Sequence, residues 1–340
     1  MLNPCYVGVS PDFQTSTEGW LETILENGAD KCRGFGRYVG QLLKDHPNII
    51  WQTAGDLNIP VGSELEEDCL AVLLGVKDEI PDSLWTAHWK RYSTACDQET
   101  FAPYMSLDNA YGGNRAYYQT LRAYNRPNPK PTYLNEGYYE DSPLGKDPAV
   151  GTPQAMRAQA YYTLLSGATG HIYGCDHIWA YGGPRYKSEV TIGWKAGMEV
   201  QGSREMVHVR KLFESFAWHT LIPDQDHTVV TAGYGTFTVD DRTSGGDYVT
   251  VARSADGDLV VAYVPPTGTE ARTITVDLSR LSGPARARWY NPTDGSYVSI
   301  EKSPLANSGS RDFVTPATTA RARTTGYSCW MLARQYSSAA

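Results

Sequence analysis

The chain has no stretch long and apolar enough to span a bilayer, and residues 1–20 carry neither the basic start nor the apolar run of a secretory signal. No membrane partner and no export signal are therefore expected from the visible sequence. Basic patches are missing too. Thirty lysines and arginines face 38 acidic residues for a net charge of -8, which argues against nucleic acid as a partner. The six cysteines, Cys5, Cys32, Cys69, Cys96, Cys175 and Cys329, form no CxxC pair and no metal-ligand spacing. They read as mostly buried free thiols, with one disulfide open to an exported protein. HExxH and GxSxG are both absent and the histidines are scattered, which disfavours a metal hydrolase and a serine hydrolase. No cofactor and no metal are expected, and no internal repeat is visible.

What is present points to carboxylate chemistry. In Lys44-Asp45-His46-Pro47-Asn48-Ile49-Ile50-Trp51-Gln52-Thr53-Ala54-Gly55-Asp56, Pro47 ends a helix near Asp45. The run Ile49-Ile50-Trp51 reads as a strand buried on both faces. Asp56 follows directly, beside a permissive glycine, where parallel α/β folds place catalytic groups. The stretch Pro131-Thr132-Tyr133-Leu134-Asn135-Glu136-Gly137-Tyr138-Tyr139 repeats that layout. Two strand-end acids are what glycosidic bond cleavage needs: one protonates the leaving oxygen, the other attacks the anomeric carbon or activates water. The competing reading makes Asp56 a helix cap and Glu136 part of a structural ion pair. The 23 tyrosines and nine tryptophans suit sugar stacking as well as core filling, and core filling is the commoner use.

With 340 residues the chain exceeds what one compact core usually supports. Elements alternate: a strand at Cys5–Val9; a helix with Phe35, Tyr38, Val39, Leu42 and Leu43 on its apolar face; the strand before Asp56; a helix opened by a Ser63/Glu66 capping box, striped by Leu65, Cys69, Val72 and Leu73 and closed at Gly75. Strands follow at Leu84–Trp89 and Tyr104–Asn109, then a helix over Tyr117–Tyr124, the strand ending at Glu136, a helix opened by Thr152-Pro153, and a last strand at Gly170–Gly174. A helix with Met206, Val209, Phe213 and Phe216 on one face closes this region. This alternation predicts a parallel sheet with helices outside, closing into a barrel if strands suffice. From about Thr228 the period changes. Hairpins at Tyr248–Val264, with an Asp256-Gly257 turn, and at Arg288–Ile300, plus a strand at Thr273–Leu278, predict an antiparallel β-sandwich. The expected domains are 1–222 and 223–340.

The segment Asp45 to Trp51 with Gly55-Asp56, the pair Asn135-Glu136, and Leu164-Leu165-Ser166-Gly167-Ala168-Thr169-Gly170-His171-Ile172-Tyr173-Gly174 with His177 and Trp179 resemble the apiosidase-like glycoside hydrolases of bacteria. The tail resembles the small β-sandwich often appended to them and labelled collagen-binding. The resemblance implies a (β/α)8 TIM-barrel-type domain with Asp56 as acid/base after strand four and Glu136 as nucleophile after strand seven. Counting strands on that basis makes Cys5–Val9 the third, so the first two βα units are expected to be absent, supplied by an upstream segment or a second chain. The implied partner is an oligosaccharide or polysaccharide, and the implied location of an untruncated protein is the periplasm or outside the cell. His88, Asp108, Asn109, Tyr138, His177 and Trp179 sit at or beyond expected strand ends as candidate sugar contacts, each with a structural alternative. The rival function is a non-catalytic carbohydrate-binding protein with an incomplete barrel.

Overall fold

The structure, a computed structural model, describes residues 1–9, 19–142, 149–179, 181, 192–239, 246–268, 270–300 and 304–316, and the backbone of 329–334. The chain forms two compact units, one from residues 1–112 with 122–135, the other from 113–121 with 136–340.

In the first unit β1 (Leu2–Cys5), β2 (Ile50–Ala54) and β3 (Leu84–His88) make a parallel sheet in that order. Trp51 and Trp85 sit side by side in register and stack 5.8 Å apart, both fully buried. β1 starts and ends earlier than the expected Cys5–Val9. α1 (Leu21–Leu43) and α2 (Glu64–Glu79) pack on each other. The expected apolar face of α1 is corrected in part: Val39 and Leu43 pack against the core, but Phe35, Tyr38 and Leu42 are exposed, while Leu21, Ile24, Cys32, Gly36 and Gly40 are buried. A Cβ on Gly36 would collide with the Val72 carbonyl, and one on Gly75 with the Arg33 carbonyl. The two backbones touch along a glycine seam, which turns the bulky side chains away from it. Gly75 serves that seam rather than ending α2, which runs on to Glu79.

The start of α2 also differs in detail. The Ser63 hydroxyl accepts the Glu66 N–H at 3.2 Å, but the Glu66 carboxylate accepts from Gly62 N at 2.7 Å, because the Ser63 N–H donates to the Pro60 carbonyl instead. β4 (Asp108–Tyr111) and β5 (Thr132–Glu136) form a separate two-stranded sheet. The expected strand at Tyr104–Asn109 is therefore displaced toward the C-terminus. Ala102–Tyr104 winds into a 3₁₀ turn, and the N–H groups of Ser106 and Leu107 both donate to the Trp85 carbonyl.

The second unit holds most of α3 (Tyr117–Tyr124), with α4 (Pro153–Leu164), two short helices α5 (Asp176–Trp179) and α6 (Trp194–Gly197), and α7 (Gln201–Phe213). Thr152 caps α4 by accepting the Ala155 N–H at 3.3 Å, and Pro153 occupies the first turn, as expected. A buried Arg157–Glu205 ion pair joins α4 to α7. The expected strand at Gly170–Gly174 does not form. His171 and Cys175 are isolated bridge residues, the latter parallel to Glu140, while Tyr173 turns its hydroxyl onto the Glu140 carboxylate and Gly174 lies against the Tyr139 ring.

Beyond α7 the period-two pattern gives two antiparallel sheets, β13-β10-β7 and β12-β11-β14-β9-β8-β6. The strands are β6 (Leu221–Pro223), β7 (Val230–Ala232), β8 (Thr250–Ser254), β9 (Leu259–Tyr263), β10 (Thr273–Asp277), β11 (Ala285–Tyr290), β12 (Tyr297–Ser299), β13 (Ser310–Val314) and β14 (Cys329–Arg334). Val251, Val260, Ile274, Val276, Trp289 and Phe313 fill the core of these sheets. The β8–β9 hairpin turns at Asp256-Gly257, where Gly257 takes φ 74° and Asp256 accepts from the Asp258 N–H at 3.0 Å. Among the described residues no helix is long and apolar enough to cross a membrane.

Candidate active site

Three neighbouring strand ends build the site. β2 stops at Ala54, and Ala54, Gly55 and Asp56 all take positive φ, 65°, 157° and 51°. Two non-glycine residues held in this region mark backbone conformations that the surrounding structure must enforce. It does so from three sides. Asn3 donates to the Ala54 carbonyl at 2.6 Å, a Cβ on Gly55 would collide with the Tyr6 ring, and Leu57 and Ile59 are buried just beyond. The Asp56 carboxylate is thereby lifted off the end of the strand and left partly exposed.

His88 closes β3 opposite Ala54 in the ladder, and its Nε2 lies 4.0 Å from Asp56 Oδ1. Its ring packs on Tyr111 with centroids 4.7 Å apart. The Arg91 guanidinium stands 4.8 Å from the centre of the same tyrosine ring and donates to the Gly112 carbonyl at 3.3 Å, so the support under His88 is itself pinned. Glu136 is the last residue of β5. One oxygen of Asp56, a ring nitrogen of His88 and one oxygen of Glu136 all lie within 4.8 Å of one another. The same three groups are those among the described residues that could hold a metal ion, one ligand atom each.

The other residues expected to contact sugar have different surroundings. Asp108 opens β4 instead of ending a strand, which corrects the expected position. It is fully buried, accepts from Cys96 N at 2.8 Å and pairs with Arg126 Nε at 2.8 Å. Asn109 is buried and donates to the Ala87 carbonyl. Both brace the sheet. In the second unit the Tyr138 backbone N–H donates to Gln159 Oε1 at 2.8 Å, His177 Nε2 lies 3.1 Å from Asp141 Oδ2, and Trp179 is exposed at the end of α5. Cys175 is buried and burial pushes its thiol pKa up, which suits a bystander.

Sequence reasoning missed Glu140, four residues after Glu136. It is almost fully buried, accepts from the Gly202 N–H at 2.8 Å and from the Tyr173 hydroxyl, and has its pKa raised, chiefly by burial. Arg91 and Tyr111 were missed as well, although an arginine directly after the β3 exit was a visible signal.

Residues 4–220 match the sequence model of a family described as "Apiosidase-like, catalytic domain", and residues 235–325 match "Putative collagen-binding domain of a collagenase". Among solved structures, a protein titled "Glycoside hydrolase" is similar at 20% identity over 90% of this chain and 69% of its own, with a TM-score of 0.72. A family 5 glycoside hydrolase from Bacteroides vulgatus is similar at 19% identity over 92% and 69%, with a TM-score of 0.75. A family 39 glycoside hydrolase from Bacteroides cellulosilyticus is similar at 9% identity over 90% and 62%, with a TM-score of 0.53. No curated protein matches the chain. The structural likenesses give the fold. The sequence match, which spans well over half of the chain, gives the family: the chain belongs to the apiosidase-like glycoside hydrolases.

Proposed function

We propose that the protein cleaves a glycosidic bond in a polysaccharide side chain by a retaining, two-carboxylate mechanism, with Glu136 as nucleophile and Asp56 as acid/base. Glu136 attacks the anomeric carbon as the bond to the departing oxygen breaks, and Asp56 gives that oxygen its proton. Water then attacks the glycosyl-enzyme, Asp56 takes the water's proton, and the Glu136–sugar bond breaks to release the sugar with its original anomeric configuration. The observation that carries this reading is the closeness of the two acids. One oxygen of each lies within 4.8 Å of the other, close enough for both acids to act on one anomeric centre, and the retaining course is proposed because it uses one of them as nucleophile and the other as acid/base.

His88, whose Nε2 lies 4.0 Å from Asp56 Oδ1, is proposed to hold the Asp56 carboxylate in position. Residues 1–222 are proposed as the catalytic domain, with β1 to β5 corresponding to strands three to seven of a (β/α)8 barrel. Residues 223–340 are proposed as an appended sandwich. The substrate is proposed to be of the apiosidase-like class, a branched plant or bacterial polysaccharide.

The test is hydrolysis of a panel of aryl glycosides and pectic or arabinan-type oligosaccharides, with the product anomer followed by proton NMR. Retention, lost in both Asp56→Asn and Glu136→Gln, is the expected result. Inverted product overturns the mechanism. Oligosaccharide binding without aglycone release by the wild-type protein overturns catalysis in favour of a carbohydrate-binding role.

A further inference from the structure

The second unit contains a cavity of about 210 Å³, walled by Asn114, Tyr162, Ala158, Gly246, Pro265 and Pro266. None of Asp56, His88 and Glu136 lines it. Its volume is several times the roughly 30 Å³ that a water molecule occupies in the liquid. It is also smaller than the pockets that hold drug-sized ligands, about 300 Å³ and up. One small ring is the size it admits.

Asn114 supplies the chemistry. Its side chain is only 3% exposed, yet neither its Oδ1 nor its Nδ2 has a hydrogen-bond partner among the described residues. Leaving a buried amide unmet costs about 1–3 kcal/mol for each group, so an amide in this state is one that takes its partners from whatever enters. Two other polar side chains of the lining are already engaged. Thr152 accepts from Ala155 N and donates to the Ala149 carbonyl, and Gln154 accepts from Arg157 and donates to the Tyr263 hydroxyl. The remaining walls are alanine, glycine, proline and tyrosine. Water held here would find few of the two to four partners an ordered molecule needs, and is cheaply displaced.

We propose that this cavity is a binding site for one neutral sugar ring, separate from the catalytic reading and able to survive its failure. Asn114 addresses two adjacent ring hydroxyls, donating from Nδ2 to one and accepting at Oδ1 from the other. The carbon–hydrogen face of the ring lies against Pro265, Pro266 and Tyr162. Gly246 keeps the rim open: it takes φ 115°, and a Cβ there would stand 2.9 Å from Arg115 Nε.

The test uses the full chain carrying Glu136→Gln, so that nothing is hydrolysed. It is titrated with methyl xylopyranoside, methyl arabinofuranoside, methyl glucopyranoside and glucuronate, read by saturation-transfer NMR. At least one methyl glycoside should bind with a Kd in the millimolar range. Adding Asn114→Ala should weaken that binding about tenfold or more, in keeping with two lost hydrogen bonds. Ala158→Met, which fills the cavity from the α4 side, should abolish it while the thermal midpoint shows the chain folded. Adding Asp56→Asn should leave it unchanged. The proposal is overturned if no methyl glycoside binds, if glucuronate is preferred, or if binding is indifferent to both Asn114→Ala and Ala158→Met.

Discussion

Glu136 and Glu140 stand four residues apart and occupy opposite chemical settings. Glu140 is sealed in, with one oxygen on the Gly202 amide and the other on the Tyr173 hydroxyl, and a Cβ on Gly202 would collide with its carboxylate. Glu136 stands at a strand end with Asp56 and His88 for company, only half-buried. Burial pushes the Glu140 pKa above a glutamate's ordinary 4.5, so a shifted pKa alone points to an acid whose oxygens are already held by protein donors. The difference teaches that an acid whose lone pairs are spent on protein donors is architecture, and that the candidate for chemistry is the one that shares an open strand end with a second carboxylate.

Four substitutions press on this contrast. The largest effect is expected from Glu136→Gln, which should lower kcat/KM about 10⁴-fold on any glycoside the enzyme hydrolyses while shifting Tm by no more than a degree or two. A comparable loss from Glu140→Gln would erase the distinction. Next, Glu140→Ala leaves the Gly202 N–H and the Tyr173 hydroxyl without their acceptor, and denaturant unfolding should record a loss of about 2–4 kcal/mol. Gly55→Ala drives a methyl into the Tyr6 ring and should cost about 1–3 kcal/mol, with kcat falling in the remaining folded enzyme because Asp56 is carried along. Unchanged kcat would show that the turn does not aim the acid.

The smallest effect belongs to Asp68 on α2, whose pKa is raised from 3.8 to about 6 by burial, with Glu67 and Glu64 adding to it. A carboxyl that binds its proton more tightly when folded contributes stability that is complete below 3.8 and lost as pH rises through about 6. Asp68→Asn should therefore flatten the decline of Tm across that window. A decline as steep as in the wild-type protein would place its origin elsewhere.

Much of the fold was legible because its signals are local. Pro47, the run Ile50-Trp51 and the Gly55-Asp56 pair are adjacent in sequence, and so are Pro131, Tyr133-Leu134 and Glu136; short apolar runs bounded by proline and glycine are what strand ends look like. The glycine seam between α1 and α2 was not legible. Backbone contact leaves no apolar stripe, and of the five residues that do form one only Val39 and Leu43 pack on the core, while Phe35, Tyr38 and Leu42 face outward. Asp108 misled because a shift of four residues in β4 decides whether it ends a strand or begins one, and its partner Arg126 is brought to it only by the fold. His88 was named at its strand end and Arg91 stands three residues on, but nothing local pointed to Tyr111, the ring that both of them meet. Nor could Glu140 have been told from Glu136 without Gly202, sixty-two positions away.

The three successive positive φ angles at Ala54, Gly55 and Asp56 mean that the main chain, more than side-chain rotamers, stores the direction in which the carboxylate leaves the sheet. An acid aimed that way has a reach set by its one methylene. Lengthening it to glutamate would carry the carboxylate past its present place beside His88, and the turn, pinned by Asn3 and Tyr6, has no slack with which to draw it back.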